Sequence, residues 1–236
     1  MRNWNVVNEK DEMGNRILVT ALPAGASPNH YRMLFPSSFE HCVLELAPSR
    51  EFRGNTDVLL KRISKELEFL QPRDCETVVL FGHSLGSGLA LALAHFIAVE
   101  THLTPRVFLS GVPKPGSFRV SPEIASDYIV QSLGEILPGG EEVPSSFREM
   151  IYRQVVADFG VVEELAVFAA QALNYVEVLL AGSDDDLCTE ADIIWWRSKA
   201  PAAEVFRYEG DHFGYMKSKK IADLYRSVAS DLVNEK

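Results

Sequence analysis

A chain of 236 residues is long enough for one α/β domain with a substantial core and an insertion, but short for two independent domains. With 47% hydrophobic and 24% charged residues it has the composition of a soluble globular protein. Its formal net charge of −10 argues against a nucleic-acid partner, because phosphates reward basic surfaces. The three cysteines, Cys42, Cys75 and Cys188, show no paired spacing, so neither a disulfide framework nor a zinc site is expected. No apolar run is long enough to span a bilayer, and the polar stretch from Met1 to Asn5 has no signal-peptide core. The expected location is the cytoplasm, and a monomer is the default.

In chain order, Ile17 to Leu22 reads as a strand ending in the turn Pro23-Ala24-Gly25. Cys42 to Leu46 is a second strand, stopped by Pro48. Asp57 to Leu70 carries apolar residues at helical spacing. Thr77 to Phe81 is β-branched and apolar and breaks at Gly82. Leu85 to Val99 follows as a helix that is apolar almost all round, the pattern of a buried helix. Val107 to Leu109 is the next strand. From Ser121 to about Gln171 the strands stop, and three amphipathic patterns follow, near 123–133, 145–158 and 161–172. The strand rhythm resumes with Tyr175 to Leu180 and Val205 to Tyr208, and Ala222 to Leu232 closes the chain as a helix. This alternation predicts a mostly parallel sheet flanked by helices, in a single domain of residues 1–236 with a helical lid inserted over 118–171.

Gly82-His83-Ser84-Leu85-Gly86 stands between a strand and a helix, the context in which Gly-x-Ser-x-Gly forms a nucleophile elbow. The sharp turn strains the serine backbone, and the flanking glycines remove side chains that would collide. The Ser84 hydroxyl then stands at the carboxyl end of the sheet as the candidate nucleophile. The Leu85 N–H, at a helix start, points toward an oxyanion. His83 is read as a packing residue beside the nucleophile.

A serine hydroxyl needs a base within hydrogen-bond reach. His212, just beyond the last strand in Gly210-Asp211-His212-Phe213, is the candidate, whereas His102 falls in a surface loop. The orienting acid is expected after the penultimate strand, in Gly182-Ser183-Asp184-Asp185-Asp186. Asp185 is preferred there, with Asp184 and Asp186 left open and Asp211 a weaker rival. An acidic turn that caps the following helix is the structural alternative. The second oxyanion donor is expected in the loop after the first strand. Pro23 has no N–H, so Ala24 is preferred, with Gly25 the alternative.

Laid end to end, these segments resemble the type II thioesterases that accompany nonribosomal peptide and polyketide synthases. Ala24-Gly25-Ala26-Ser27 with Tyr31-Arg32 is similar to the family's Ala-Gly-Gly-Ser segment and its downstream Tyr-Arg. Phe81-Gly82-His83-Ser84-Leu85-Gly86 resembles Phe-Gly-His-Ser-Met-Gly. Ser110-Gly111 with Pro113 and Pro115 resembles the stretch leading into the lid, and Val156-Ala157-Asp158-Phe159 resembles Arg-Ala-Asp-Phe of a lid helix. Gly182-Ser183-Asp184-Asp185, Trp195-Trp196 and Gly210-Asp211-His212-Phe213 complete the pattern. The family's acid falls at the third residue after the glycine, which favours Asp185. The chain departs from the pattern at Leu22-Pro23, at Ala26 in place of the second glycine, and at Pro48-Ser49-Arg50 in place of Pro-Gly-Arg.

The resemblance implies an α/β-hydrolase fold and hydrolysis of acyl groups from the phosphopantetheine arm of an acyl- or peptidyl-carrier domain, with no cofactor and no metal. A free-standing small-molecule carboxylesterase or acyl-CoA thioesterase is the alternative. The lid would shape an acyl chamber, and the apolar faces of Ile129, Leu133, Phe147, Ile151, Val155 and Phe159 either line it or pack the lid onto the core. Gly25, Phe159 and Phe213 are the candidate substrate contacts. Carrier domains are acidic, as this chain is, so recognition would need a local basic patch. Lys114 and Arg119, Arg50 and Arg53, or Lys217, Lys219 and Lys220 are the candidates.

Overall fold

The computed structural model describes residues 4–6, 16–21, 40–44, 77–84, 86–114, 123, 126–127, 130, 143–153, 156 and 170–224. Their strands form one sheet in the order β1-β3-β2-β4-β5-β6-β7. The strands are β1 (Trp4–Val6), β2 (Arg16–Ala21), β3 (Glu40–Leu44), β4 (Thr77–His83), β5 (Thr104–Ser110), β6 (Val176–Gly182) and β7 (Glu204–Tyr208). β1 pairs antiparallel with β3 at one edge, and β2 to β7 are all parallel. The sequence reading finds β2 to β7 within a few residues. It misses β1, because three residues at an edge carry no legible alternation.

The order reverses around β2. The chain passes from β2 to β3 on one side and then crosses to β4 on the other. Such a switch point leaves a crevice at the carboxyl ends of the two diverging strands, where open α/β sheets bind ligands. The register sets Ala21 beside Gly82, so the chain leaves β2 next to the residue that opens the elbow.

The centre of the sheet is dry. Val78, Leu80 and Phe81 on β4, and Val107, Phe108 and Leu109 on β5, have no exposed surface. Both faces of these strands are apolar, as parallel strands covered on two sides require. Helix α1 (Gly86–Glu100) lies against β4 and β5 and buries Leu89, Leu91, Leu93 and Ile97. Each such side chain contributes roughly 1.5–3 kcal/mol on leaving water. Beyond its end, the Thr101 hydroxyl donates to the Ile97 carbonyl at 2.7 Å and accepts the Leu103 N–H at 3.0 Å, turning the chain into β5.

Between β5 and β6 the described residues 123, 126–127, 130, 145–153, 156 and 170–172 are helical. Ile151 is buried, whereas Phe147 and Met150 are exposed. The helix predicted over 57–70 lies outside the described residues, and of the closing helix residues 219–224 are described.

Helix α2 (Glu190–Lys199) follows β6. None of the acidic trio Asp184–Asp186 caps it; Thr189 does. The Asp192 carboxylate accepts the Thr189 N–H at 2.9 Å and the Thr189 hydroxyl at 2.6 Å. Its other oxygen accepts the Lys114 N–H at 3.1 Å, tying the helix start to the segment after β5. A second tie comes from fully buried Trp196, whose indole N–H donates to the Val112 carbonyl at 3.0 Å. Trp196→Phe removes that donor and leaves a small void. The expected loss is about 2 kcal/mol, read as a lower urea midpoint at unchanged m-value.

Candidate active site

β4 ends in Gly82-His83, and Ser84 follows with φ of 52°, the one non-glycine among the described residues in the left-handed region. A residue with a Cβ adopts that angle only where its surroundings hold it. Here the Ser84 N–H donates to the Ser110 carbonyl at 2.8 Å, and the Ser84 carbonyl accepts the Ser87 N–H at 3.0 Å. The Ser87 hydroxyl reaches back to the Gly82 carbonyl at 3.2 Å. α1 starts so close to β4 that a Cβ on Gly82 would stand 2.6 Å from the Ser87 Cα and 2.8 Å from the Gly86 carbonyl oxygen. Glycine at 82 is therefore a condition of the turn. Ser84 itself is half-buried.

Two loops bring His212 and Asp185 together. After β6, the Ser183 and Asp184 N–H groups donate to the carbonyls of Tyr208 and Gly210, both at 3.0 Å. This stitches the β6 exit to the β7 exit. Asp185, next in line, is 8% exposed, while Asp184 and Asp186 are exposed. The Asp185 carboxylate accepts the Leu187 and Cys188 N–H groups, each at 2.9 Å. It also meets His212 Nδ1 at 2.9 and 3.0 Å. His212 is 2% exposed. A buried carboxylate and imidazole in this geometry fix which ring nitrogen carries the proton: Nδ1–H donates to the acid, and Nε2 is left for another group.

The base sits in a close-packed niche. Its ring lies 4.4 Å from the His83 ring and 5.3 Å from that of Phe213, centroid to centroid. The His83 ring in turn packs, tilted by 38°, against Tyr215 with centroids 4.4 Å apart. Gly111, with φ of 53°, forms the floor. A Cβ there would stand 2.7 Å from His212 Cε1 and 2.9 Å from His83 Cε1. Burial, reinforced by His212 nearby, holds His83 well below the ordinary imidazole range, against the opposing pull of the Ser110 carbonyl. His83 is thus a neutral ring. Burial, with Asp185 next in weight, drives the Tyr208 phenol and the Cys188 thiol upward, so both stay protonated at neutral pH.

The structure thus brings Asp185 and His212 into direct contact, with Phe213 against the His212 ring; Ser84 follows β4 at the same carboxyl edge of the parallel sheet. It separates the rivals. Exposed Asp184 accepts the Ser183 hydroxyl at 2.8 Å, exposed Asp211 accepts the Phe213 N–H at 3.0 Å, and His102 is exposed before β5. Ala24, Gly25, Leu85 and Phe159 lie outside the described residues, as do Arg50, Arg53, Arg119 and the Lys217 side chain. Lys220 donates to the Arg207 carbonyl at 3.2 Å, and Lys219 is exposed. Sequence reading passes over Ser110, Gly111 and Tyr208 as parts of the site. The signal for the first two was a small polar residue and a glycine at the end of the strand beside the elbow strand. No group of His, Cys, Asp and Glu suited to a metal ion occurs among the described residues. No described helix is long and apolar enough to cross a membrane.

The fold has solved counterparts. YbtT, a type II thioesterase from the yersiniabactin pathway, is 15% identical with a TM-score of 0.66, each chain covered to 97%. BorB, the type II thioesterase of the borrelidin cluster, is 16% identical with a TM-score of 0.63, covering 96% of this chain and 94% of its own. The RedJ thioesterase of the prodiginine pathway in Streptomyces coelicolor is 17% identical with a TM-score of 0.58, covering 92% and 89%. These likenesses establish the α/β-hydrolase fold. No curated protein matches the sequence. The thioesterase domain family model matches residues 16–230, which takes in every strand from β2 onward together with Ser84, Asp185 and His212, and the chain belongs to that family of hydrolases.

Proposed function

We propose that this thioesterase cleaves acyl groups from the phosphopantetheine arm of an acyl- or peptidyl-carrier domain, with Ser84 as nucleophile, His212 as base and Asp185 as its orienting acid. The observation that carries the chemistry is the buried His212–Asp185 pair at 2.9 Å, at the same carboxyl edge of the parallel sheet as Ser84, which is held at φ of 52°. The carrier-bound substrate is supported by the likeness to thioesterases of synthase pathways.

In this reading the Ser84 oxygen attacks the thioester carbonyl carbon while His212 Nε2 takes the hydroxyl proton. The oxyanion is met by main-chain N–H groups at Leu85 and at Ala24 or Gly25. The register that sets Ala21 beside Gly82 supports the second donor, because the chain leaves β2 at the elbow. His212 then gives its proton to the leaving sulfur, releasing the thiol and an acyl ester on Ser84. Water, deprotonated by His212, cleaves that ester and restores the serine. Asp185 stabilises the imidazolium that forms twice in each cycle. No metal or redox group is called for in these steps. The insertion over 118–171 acts as the lid of the acyl chamber, with Phe159, Phe213 and Gly25 as substrate contacts. A monomer in the cytoplasm, beside its synthase, is the setting this reading assigns.

Four outcomes are expected. Ser84→Ala abolishes labelling by a fluorophosphonate probe and lowers turnover by a factor on the order of 10⁶. Normal turnover in that variant would refute the nucleophile. Turnover compared on an acyl-carrier thioester, an acyl-CoA and a nitrophenyl ester is greatest on the carrier. An inert carrier beside rapid ester cleavage would assign the enzyme to small esters instead.

Asp185→Asn lowers kcat by about 10³–10⁴-fold by favouring the wrong imidazole tautomer, whereas Asp184→Asn leaves it within about twofold. The reverse pattern would move the acid. Gly111→Ala forces a methyl group into the floor beneath the base. It is expected to lower kcat by about 10²-fold through displacement of His212 while fluorophosphonate labelling slows in parallel.

A further inference from the structure

β7 is the last strand on its side of the described sheet, and of its five residues only the final one, Tyr208, is buried. The loop that carries His212 lies against this side chain. The Tyr208 hydroxyl donates to the His212 main-chain carbonyl at 3.4 Å. Two residues further on, a Cβ on Gly214 would stand 3.2 Å from Cε2 of the Tyr208 ring and 3.4 Å from its Cδ2. The Gly214 N–H donates to the Asp211 carbonyl at 3.0 Å, which closes the loop as a turn beside the ring edge.

The segment leading to the acid meets the same ring. Gly182 pairs with Tyr208 in register, three residues before Asp185. A Cβ on Gly182 would stand 3.1 Å from Tyr208 Cε2, 2.6 Å from the Gly210 carbonyl oxygen and 2.9 Å from that of Asp211. No side chain fits there, so the exit of β6 and the His212 loop touch main chain to main chain with the Tyr208 ring edge between them. Tyr215 meets the ring edge-on, with centroids 6.4 Å apart, and itself packs on Phe81 of β4. A planar aromatic ring held this closely has little room to move and cannot be compressed.

We propose that Tyr208 is a positioning residue for His212: its ring is the core around which the His212 loop turns, and it sets the spacing between that loop and the exit of β6 toward Asp185. The hydroxyl orients the His212 peptide, but at 3.4 Å that bond is long, so the ring carries the larger share. Spacing matters because the His212–Asp185 contact at 2.9 Å leaves little slack, and a misplacement of about 1 Å at a catalytic group costs about 10²-fold in rate. The effect on rate rests on the catalytic reading above; the effect on the His212–Asp185 contact does not.

The low-field proton resonance of His212 Nδ1–H, recorded in the Ser84→Ala background, together with kcat in the active enzyme, tests the assignment. Tyr208→Leu is expected to displace that resonance and to lower kcat about 10²-fold with KM held within about twofold. Tyr208→Phe, which keeps the ring, is expected to recover most of this, leaving kcat about threefold below native. A native resonance in Tyr208→Leu overturns the proposal whatever the rate does. A loss in Tyr208→Phe as large as that in Tyr208→Leu also overturns it, by placing the whole effect on the hydroxyl. Where Tyr208→Leu does not fold, Gly214→Ala takes its place. Gly214 lies outside the left-handed region, so a Cβ is admitted, and its methyl presses on the ring edge and on the Glu209 carbonyl. It is expected to displace the resonance and to lower kcat about tenfold, and an unmoved resonance overturns the proposal. If Ser84→Ala keeps full turnover, the catalytic reading fails, and the resonance in the Tyr208 variants still decides whether the ring positions His212.

Discussion

One main-chain hydrogen bond, from the Ser84 N–H to the Ser110 carbonyl at 2.8 Å, carries the geometry of the site. It extends the parallel pairing of β4 and β5 one residue past the strand, at the point where Ser84 turns into the left-handed region. A strained residue persists only where its neighbours over-determine it, and this bond with the Ser87 ties on the other side does so. Because the same Ser110 faces His83 through its hydroxyl and leads into Gly111 beneath His212, the elbow and the base share one anchor. Strain at the serine and placement of the histidine are thus settled by a single strand end.

The acid reaches its place by a different route. Asp185 is not presented by a strand; it is wrapped by its own loop, whose Leu187 and Cys188 N–H groups both donate to one carboxylate oxygen. Those two bonds replace much of the water that a buried carboxylate gives up, and the His212 ring supplies the third donor. The loop is in turn sewn to the β7 exit through the Ser183 and Asp184 N–H groups, which ties Asp185 to the loop that carries His212. Asp184, exposed and one residue away, serves this stitching with its main chain.

How much of this was legible beforehand follows from which interactions are local. The strands from β2 onward are runs of β-branched and apolar residues bounded by glycine, proline or polar turns, and such runs announce themselves. The elbow is local as well, since glycines at 82 and 86 and the apolar helix that follows are adjacent in sequence. The order of base after acid comes from the fold, and the third residue past Gly182 from the resemblance. Non-local closeness is what the sequence conceals. Gly111 matters because two imidazoles from distant segments meet above it, and Tyr208 matters because its hydroxyl reaches a carbonyl four residues on, behind the ring. β1 was missed for a simpler reason: a three-residue edge strand has too few residues to show a period.

Cys188 lies three residues beyond Asp185, its Sγ–H donating to the Val112 carbonyl at 3.3 Å. Burial and the carboxylates of Asp185, Asp192 and Glu190 keep it in the thiol form, and only a thiolate attacks an acyl group or a sulfur. An enzyme whose reaction liberates a thiol at every turnover therefore holds this buried sulfur in its unreactive thiol form. Under the proposed mechanism that residue does not compete with Ser84 for the acyl group.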